Sequence, residues 1–215
     1  MINSKKYPMK TRPSIDCRKD AKARLLKAAL KLFAQKGYAA TSVRQILEES
    51  GTTAPCLYYH FGNKEGLYLE LARVHFSKID SLMEYYVSSS ADSRRKLKEL
   101  IDRTFCQVRK NSKFVRILNA TYFGPPRGAP SFDFQSYLDR FHRLIVRILA
   151  EGIKKGEFRL GNPDDMAFVI RGVLRLAIED QIVQGGTRIN QKRLQKMMDL
   201  ILDGFERMPG RQSPK

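Results

Sequence analysis

Two tyrosines, a histidine and a lysine crowd one corner of this sequence, in LYYHFGNKEGL from Leu57 to Leu67. Phenolic hydroxyls, an imidazole and an ammonium all donate hydrogen bonds, so turned outward they would grip an anion such as a phosphate. Turned inward, the same rings would close a small core. Helical spacing limits the choice: Leu57 and Phe61 lie four apart and share one face, so Tyr58, Tyr59 and His60 cannot all follow them inward. Upstream, Arg44 is the side chain best suited to reading a base, because a guanidinium can hold guanine O6 and N7 together. A solvated helix face would suit it equally well.

Caps and apolar spacing outline the elements that must position these residues. Leu26, Ala29, Leu30 and Phe33 form the stripe of a first helix that ends at Gly37. Thr41 or Ser42 can cap a second, with Val43, Ile46, Leu47 and Ser50 inward and Gly51 at its end. Thr53 can cap a third, in which Pro55 is tolerated because first-turn amides have no intrahelical acceptor. Gly62 stops it, and Asn63 caps a fourth running through Leu67, Leu71 and Val74. Two short helices meeting at a tight turn, flanked by longer ones, make a helix-turn-helix.

The net charge of +18 favours a polyanionic partner, nucleic acid or an anionic membrane surface. Its distribution is uneven, since residues 1–64 hold thirteen basic and four acidic side chains. No run approaches the roughly 18 apolar residues of a spanning helix, and Lys27 and Lys31 interrupt the first apolar segment, so it fails as a signal peptide. Three cysteines, Cys17, Cys56 and Cys106, without a CxxC pair or clustered histidines, argue for free thiols in a reducing cytoplasm and against a zinc site. Phosphate-binding loops, HExxH and GxSxG are absent, and His60, His75 and His142 are widely separated, so the expectation is a non-enzyme with no cofactor and no metal.

Beyond Phe76 the pattern stays helical, over about 63–87, 92–110, 112–123, 132–155, 163–184 and 190–208, with no alternating strand pattern. The last two helices carry apolar residues on more than one face, among them Ile170, Leu174, Ile178, Leu194, Met198, Ile201 and Phe205. They lie deep in the monomer or pair with a second copy, and the expectation is a homodimer. Phe105, Tyr122, Phe123, Phe134 and Tyr137 either line an apolar pocket or fill the core. Arg171 and Arg175, four apart in an apolar helix, either pair with Glu179, Asp180 or a partner subunit, or bind an acidic effector.

The segment RLLKAALKLFAQKGYAATSVRQILEESGTTAPCLYYHFGNKEGLYLEL, Arg24 to Leu71, resembles the DNA-binding domain of the TetR family of bacterial transcriptional regulators. The resemblance implies that Thr41, Ser42 and Arg44 touch the DNA backbone, with Arg44 near a base. It puts the third helix in the major groove, Thr52 and Thr53 on phosphate, Ala54, Pro55 and Cys56 toward bases, and Tyr58, Tyr59, His60 and Lys64 on the backbone. Family members often have lysine and a small residue where this chain has Ala54 and Pro55, so a relative's base preference does not transfer. The later two thirds look like the family's ligand-binding and dimerisation region, for example in AEGIKKGEFRLGNPDDMAFVIRGVL.

The expected fold is therefore all-α: a flexible basic arm over 1–17, a three-helix helix-turn-helix domain over 18–65, and a larger helical effector-binding and dimerisation domain over 66–210. The arm is either disordered or enters a neighbouring minor groove. The expected function is a cytoplasmic homodimeric repressor that binds a near-palindromic duplex operator and is released by a small-molecule effector. The rival reading is a nonspecific or architectural DNA binder, and neither reading involves a membrane.

Overall fold

A computed structural model describes residues 19–88, 90–122, 128–130, 132–159, 161–183, 185 and 188–206. The expected basic arm over 1–17 lies outside the described residues, as does Phe123. Nine α-helices occupy the described residues: α1 Lys19–Lys36, α2 Val43–Ser50, α3 Ala54–Phe61, α4 Lys64–Ser88, α5 Ser93–Lys110, α6 Ser112–Tyr122, α7 Phe134–Lys154, α8 Pro163–Val183 and α9 Gln191–Phe205. The only extended pairing described among these residues is an isolated antiparallel bridge, Phe158 to Glu206, where Arg159 N donates to Phe205 O at 2.7 Å. The all-α expectation holds, and the sequence-derived limits of α4 to α8 fall within two residues of those observed.

Two compact units divide the described residues, one running through Leu71 and including 128–130, the other comprising Ala72–Tyr122 and the residues from 132 onward. The division falls inside α4. In the first unit, Leu25, Ala29 and Phe33 of α1 are buried with Ile46 of α2, Leu57 and Phe61 of α3, and Leu67 and Leu71 of α4. The expected α1 stripe is shifted: Leu25, Ala28 and Leu32 are buried, while Leu26 and Leu30 are only half-buried. Consecutive apolar pairs in RLLKAALKLF offer two overlapping stripes, and only packing chooses between them.

The second unit is built around α5, which packs against α6, α7, α8 and α9. Leu97, Leu100, Ile101 and Phe105 are buried on it. Polar braces hold its N-terminal end: Arg94 pairs with Asp199 at 3.0 Å, Asp203 at 2.7 Å and Glu206, and Lys98 pairs with Asp199 at 2.6 Å. Such a network, tying α5 to α9 through one guanidinium, contributes more than isolated surface pairs do. The buried Asp180 carboxylate accepts from the amides of Arg188, at 3.2 Å, and Ile189, at 2.9 Å, so it orders the turn into α9.

The closest approach within this unit is at Gly152 of α7, where a Cβ would lie 2.5 Å from the Phe158 ring and 2.9 Å from Ser93 Cβ. Phe158 is buried and belongs to the bridge, so it has little room to yield. Gly152→Val is expected to destabilise the protein by about 1–3 kcal/mol through overpacking. A urea titration should show this as a lower midpoint at unchanged m-value.

Candidate nucleic-acid interface

The helix-turn-helix is assembled by short-range capping. Ser42 is the α2 N-cap: its Oγ accepts from Gln45 N at 3.2 Å, and Gln45 Oε1 accepts from Ser42 N at 3.1 Å, a complete capping box. Thr41, the alternative cap, instead donates to Gly37 O at 2.8 Å and is buried. Gly51 ends α2 at φ +59°, a left-handed conformation that favours glycine, so the chain can turn at once toward α3. Thr53 holds the α3 N-cap position without the expected side-chain cap hydrogen bond, so its exposed hydroxyl is not spent there. Asn63 caps α4, accepting from Gly66 N at 2.7 Å.

On α3, Tyr58 and Tyr59 are 53% and 64% exposed, so they take the outward direction that Leu57 and Phe61 leave open. Pro55 is exposed, Ala54 half-buried, and Thr52 half-buried with its hydroxyl 2.6 Å from that of Ser50. Arg44 is 88% exposed, its Nε 2.8 Å from Glu48 Oε1 one turn on. This hydrogen bond raises the Arg44 pKa and fixes the guanidinium while leaving its terminal nitrogens outside that bond.

Four expected contacts are placed differently. Cys56 is 3% exposed and disulfide-bonded, so it neither faces outward nor is a free thiol; Cys106 is free. It sits beside Leu57 on the buried side of α3, which a two-turn helix makes broad enough for both. The Thr41 side chain is internal, as described. His60 is half-buried, with Nε2 enclosed and unpartnered and its ring 5.0 Å from that of Tyr59, so the imidazole does not present this nitrogen outward.

Lys64 also turns inward. Its ammonium donates to Tyr38 O at 3.1 Å and Thr41 O at 2.9 Å and sits 4.1 Å from the centroid of the Tyr38 ring. Two of its three N–H groups are thus committed to the corner between α1 and α2, and desolvation by burial lowers its pKa. Sequence reading missed Tyr38, whose ring lies 5.4 Å from Phe33 and 5.2 Å from Tyr68 and supports the ammonium from below. The pairing of Tyr38 with Lys64 spans 26 residues and leaves no local periodic signal.

The second unit contains the remaining candidates. Phe105 is fully buried on α5. Tyr137 is buried with an unpartnered hydroxyl, its ring 4.5 Å from Phe76 and stacked on Phe134 at 6.3 Å; burial, chiefly, raises its pKa. The neighbouring rings of Phe76 and Phe132, stacked at 4.8 Å, were not singled out in the sequence. Tyr122 ends α6. Arg171 is half-buried beside the Phe168 ring at 5.9 Å, and desolvation by burial lowers its pKa; Arg175 is exposed. The Asp180 carboxylate instead receives the loop amides of Arg188 and Ile189 on Oδ2.

The expected dimer stripe needs correction. Ile170, Leu174, Leu194 and Met198 are buried within the protomer, and Ile178, Ile201 and Phe205 are half-buried. The apolar side chains left on the outside of α8 and α9 are Phe168, Val169, Leu176, Val183 and Leu200, the last 74% exposed. The more regular stripe faces the protomer's own core, and the second apolar face is the one left over. Among the described residues, no helix is long and apolar enough to cross a membrane.

Residues 25–71 match the family model described as bacterial regulatory proteins, tetR family. The transcriptional repressor KstR2 of Rhodococcus jostii is 27% identical over 186 residues, covering 84% of this chain and 89% of that protein. The repressor AcnR of Corynebacterium glutamicum is 26% identical, with 85% and 90% covered. Among solved structures, the ketosteroid regulator KstR2 of Mycobacterium tuberculosis has a TM-score of 0.66 at 26% identity, with 87% of this chain and 95% of that chain covered. The regulator PfmR of Thermus thermophilus has a TM-score of 0.68 at 26% identity, with 86% and 100% covered.

Gly66 explains one fixed point of the α3–α4 corner, because a Cβ there would lie 1.9 Å from Phe61 O. Backbone, unlike a side-chain tip, cannot swing aside. Gly66→Ala is therefore expected to cost about 3 kcal/mol, visible as a lowered thermal midpoint.

Proposed function

The chain belongs to the TetR family of bacterial transcriptional regulators, and on that premise we propose that it is a homodimeric repressor released from a near-palindromic operator by a small-molecule effector. As a member it is a DNA-binding regulator of transcription, and the similar KstR2 and AcnR proteins are named as repressors. The observation that carries the DNA-reading assignment is the division of α3 into a buried side and an outward side bearing Tyr58 and Tyr59. Residues 18–65 form the reading head in this proposal, and 66–210 serve the effector and the second copy.

Roles follow from exposure. Tyr58, Tyr59, Ser42 and Thr53 contact phosphate, and Lys64 contributes its one remaining N–H while holding the corner. Thr52 contributes to a phosphate contact through the hydroxyl it shares with Ser50. Ala54 and Pro55 offer apolar surface to base edges, and Arg44 offers hydrogen bonds. Dimerisation uses the outer faces of α8 and α9 around Phe168, Leu176 and Leu200, an exposed apolar area of the kind that marks interaction sites. Arg171 and Arg175 border that face on α8, where a partner's carboxylate is a simpler occupant than an acidic effector.

The effector is apolar with one hydrogen-bond acceptor. The aromatic cluster around Tyr137 and its unpartnered hydroxyl support this, since an unmet buried donor costs about 1–3 kcal/mol that a ligand can recover. The name of the similar ketosteroid regulator is consistent with a ligand of this kind.

Selection of genomic fragments by the purified protein at two salt concentrations separates a regulator from a nonspecific binder. A single near-palindromic site retained at the higher salt is expected; loss of all fragments alike with salt would favour the nonspecific reading. On the recovered site, Arg44→Ala should relax preference at particular positions while Tyr59→Ala weakens binding to every sequence. Leu200→Asp should give a monomer by light scattering, and a persistent dimer would move the interface elsewhere.

A further inference from the structure

The outer face of α8 is complementary to its own reverse. Phe168, Gly172, Leu176, Glu179 and Val183 recur at helical spacing and so share one side of the helix. Phe168, Leu176 and Val183 are left exposed there as large apolar side chains. Charge along the face is ordered, with Arg171 and Arg175 preceding Glu179. Arg175 and Glu179 are exposed, and Glu179 makes no ion pair among the described residues.

Gly172 is the residue that the protomer itself does not account for. Glycine inside a helix is unfavourable, and a Cβ added here would meet nothing within 4 Å, so packing within the protomer does not require it. Such a notch lets a neighbouring helix approach closely. One turn on, Leu176, Glu179 and Val183 border a groove of about 340 Å³ with Met197 of α9, which leaves room for side chains from outside.

A closed dimer has a two-fold axis, and a helix that crosses its own copy at an axis perpendicular to its length meets it running the opposite way. With the centre at the level of Ala177, Arg175 faces Glu179 of the partner subunit, and Glu179 faces the partner's Arg175. The same register sets Gly172 against Val183 of the partner subunit. Charge and shape are thus satisfied together, whereas a parallel pairing would set arginine against arginine and glutamate against glutamate.

We propose that two copies of the chain pair α8 antiparallel across this centre, with Arg175 of each held by Glu179 of the partner subunit and Gly172 receiving the partner's Val183. The inference rests on the homodimer reading above and adds to it a direction, a register and the charge pair that enforces them. The ion pairs act through specificity more than strength, because parallel or displaced pairings bring like charges together.

The test uses the full chain and the variants R175E, E179R and R175E/E179R, with light scattering over a dilution series. Each single reversal sets like charges against one another twice and should weaken self-association on the order of a hundred-fold. An equimolar mixture of R175E and E179R should recover dimers, since each supplies the charge the other lacks, and the double variant should dimerise as wild type does. Both side chains are exposed, so helical circular dichroism should be unchanged throughout. Oxidation of a mixture of G172C and V183C should give a disulfide-linked dimer that neither variant gives alone, because the two positions stand roughly 16 Å apart along one helix.

Self-association of both single reversals at the wild-type level would overturn the proposal and leave a dimer with its interface elsewhere. So would loss in the single reversals without recovery in their mixture. Recovery in the mixture but not in the double variant would overturn the antiparallel direction. A mixture of G172C and V183C that dimerises without cross-linking would overturn the register. Wild-type chain that stays monomeric at every concentration would overturn the homodimer reading itself, and this inference with it.

Discussion

The ammonium of Lys64 is the constraint on which the reading head depends. It begins α4, yet donates to Tyr38 O and Thr41 O in the connection between α1 and α2, over the face of the Tyr38 ring. Hydrogen bonds from a charged donor contribute about 1.5–3 kcal/mol, and a cation over an aromatic face adds about 0.5–1 kcal/mol at a partly exposed site. More important than the sum is what is joined. Three helix ends that are distant in sequence are fixed together, which sets the directions of α2 and α3 and so decides which faces of two short helices remain outside.

Given that clamp, the outward residues follow from helix geometry. With Leu57 and Phe61 buried, Tyr58 and Tyr59 are carried to the opposite side, and the same turn buries Cys56 and brings the His60 ring partly under cover. The Ser42–Gln45 capping box fixes where α2 starts, placing Arg44 in its first turn with its side chain in solvent. Of the aromatic residues in the corner, Tyr58 and Tyr59 form a surface and the His60 ring is half-buried, while the small core beside them is closed by Tyr38 and Tyr68, which lie outside that stretch.

Local signals explain what was legible in the sequence. Helix limits were readable because Gly37, Gly51, Gly62 and Asn63 act on the residues beside them. The outward tyrosines were readable because helical periodicity is local. The inward course of Lys64 was not, since its acceptors lie 23 and 26 residues away. The burial of Ile170, Leu174, Leu194 and Met198 was misassigned for a related reason: an apolar stripe reports that a face is covered, but not whether the cover is the same chain or another. Only subtracting the protomer's own packing exposes Phe168, Leu176 and Leu200 as the face still uncovered.

That distinction bears on how a ligand could control the proposed repressor. An effector shifts DNA affinity only by as much as its own affinity differs between the two conformations, and DNA must weaken effector binding by the same factor. A hundred-fold release needs about 2.8 kcal/mol, comparable to satisfying one buried hydroxyl such as that of Tyr137. A single hydrogen bond made in only one conformation would thus be enough in magnitude, whereas a larger apolar contact made equally in both would tighten binding without releasing DNA. α4 is the helix in which the two units meet in sequence, opening at the Lys64 clamp and carrying Phe76 of the aromatic cluster.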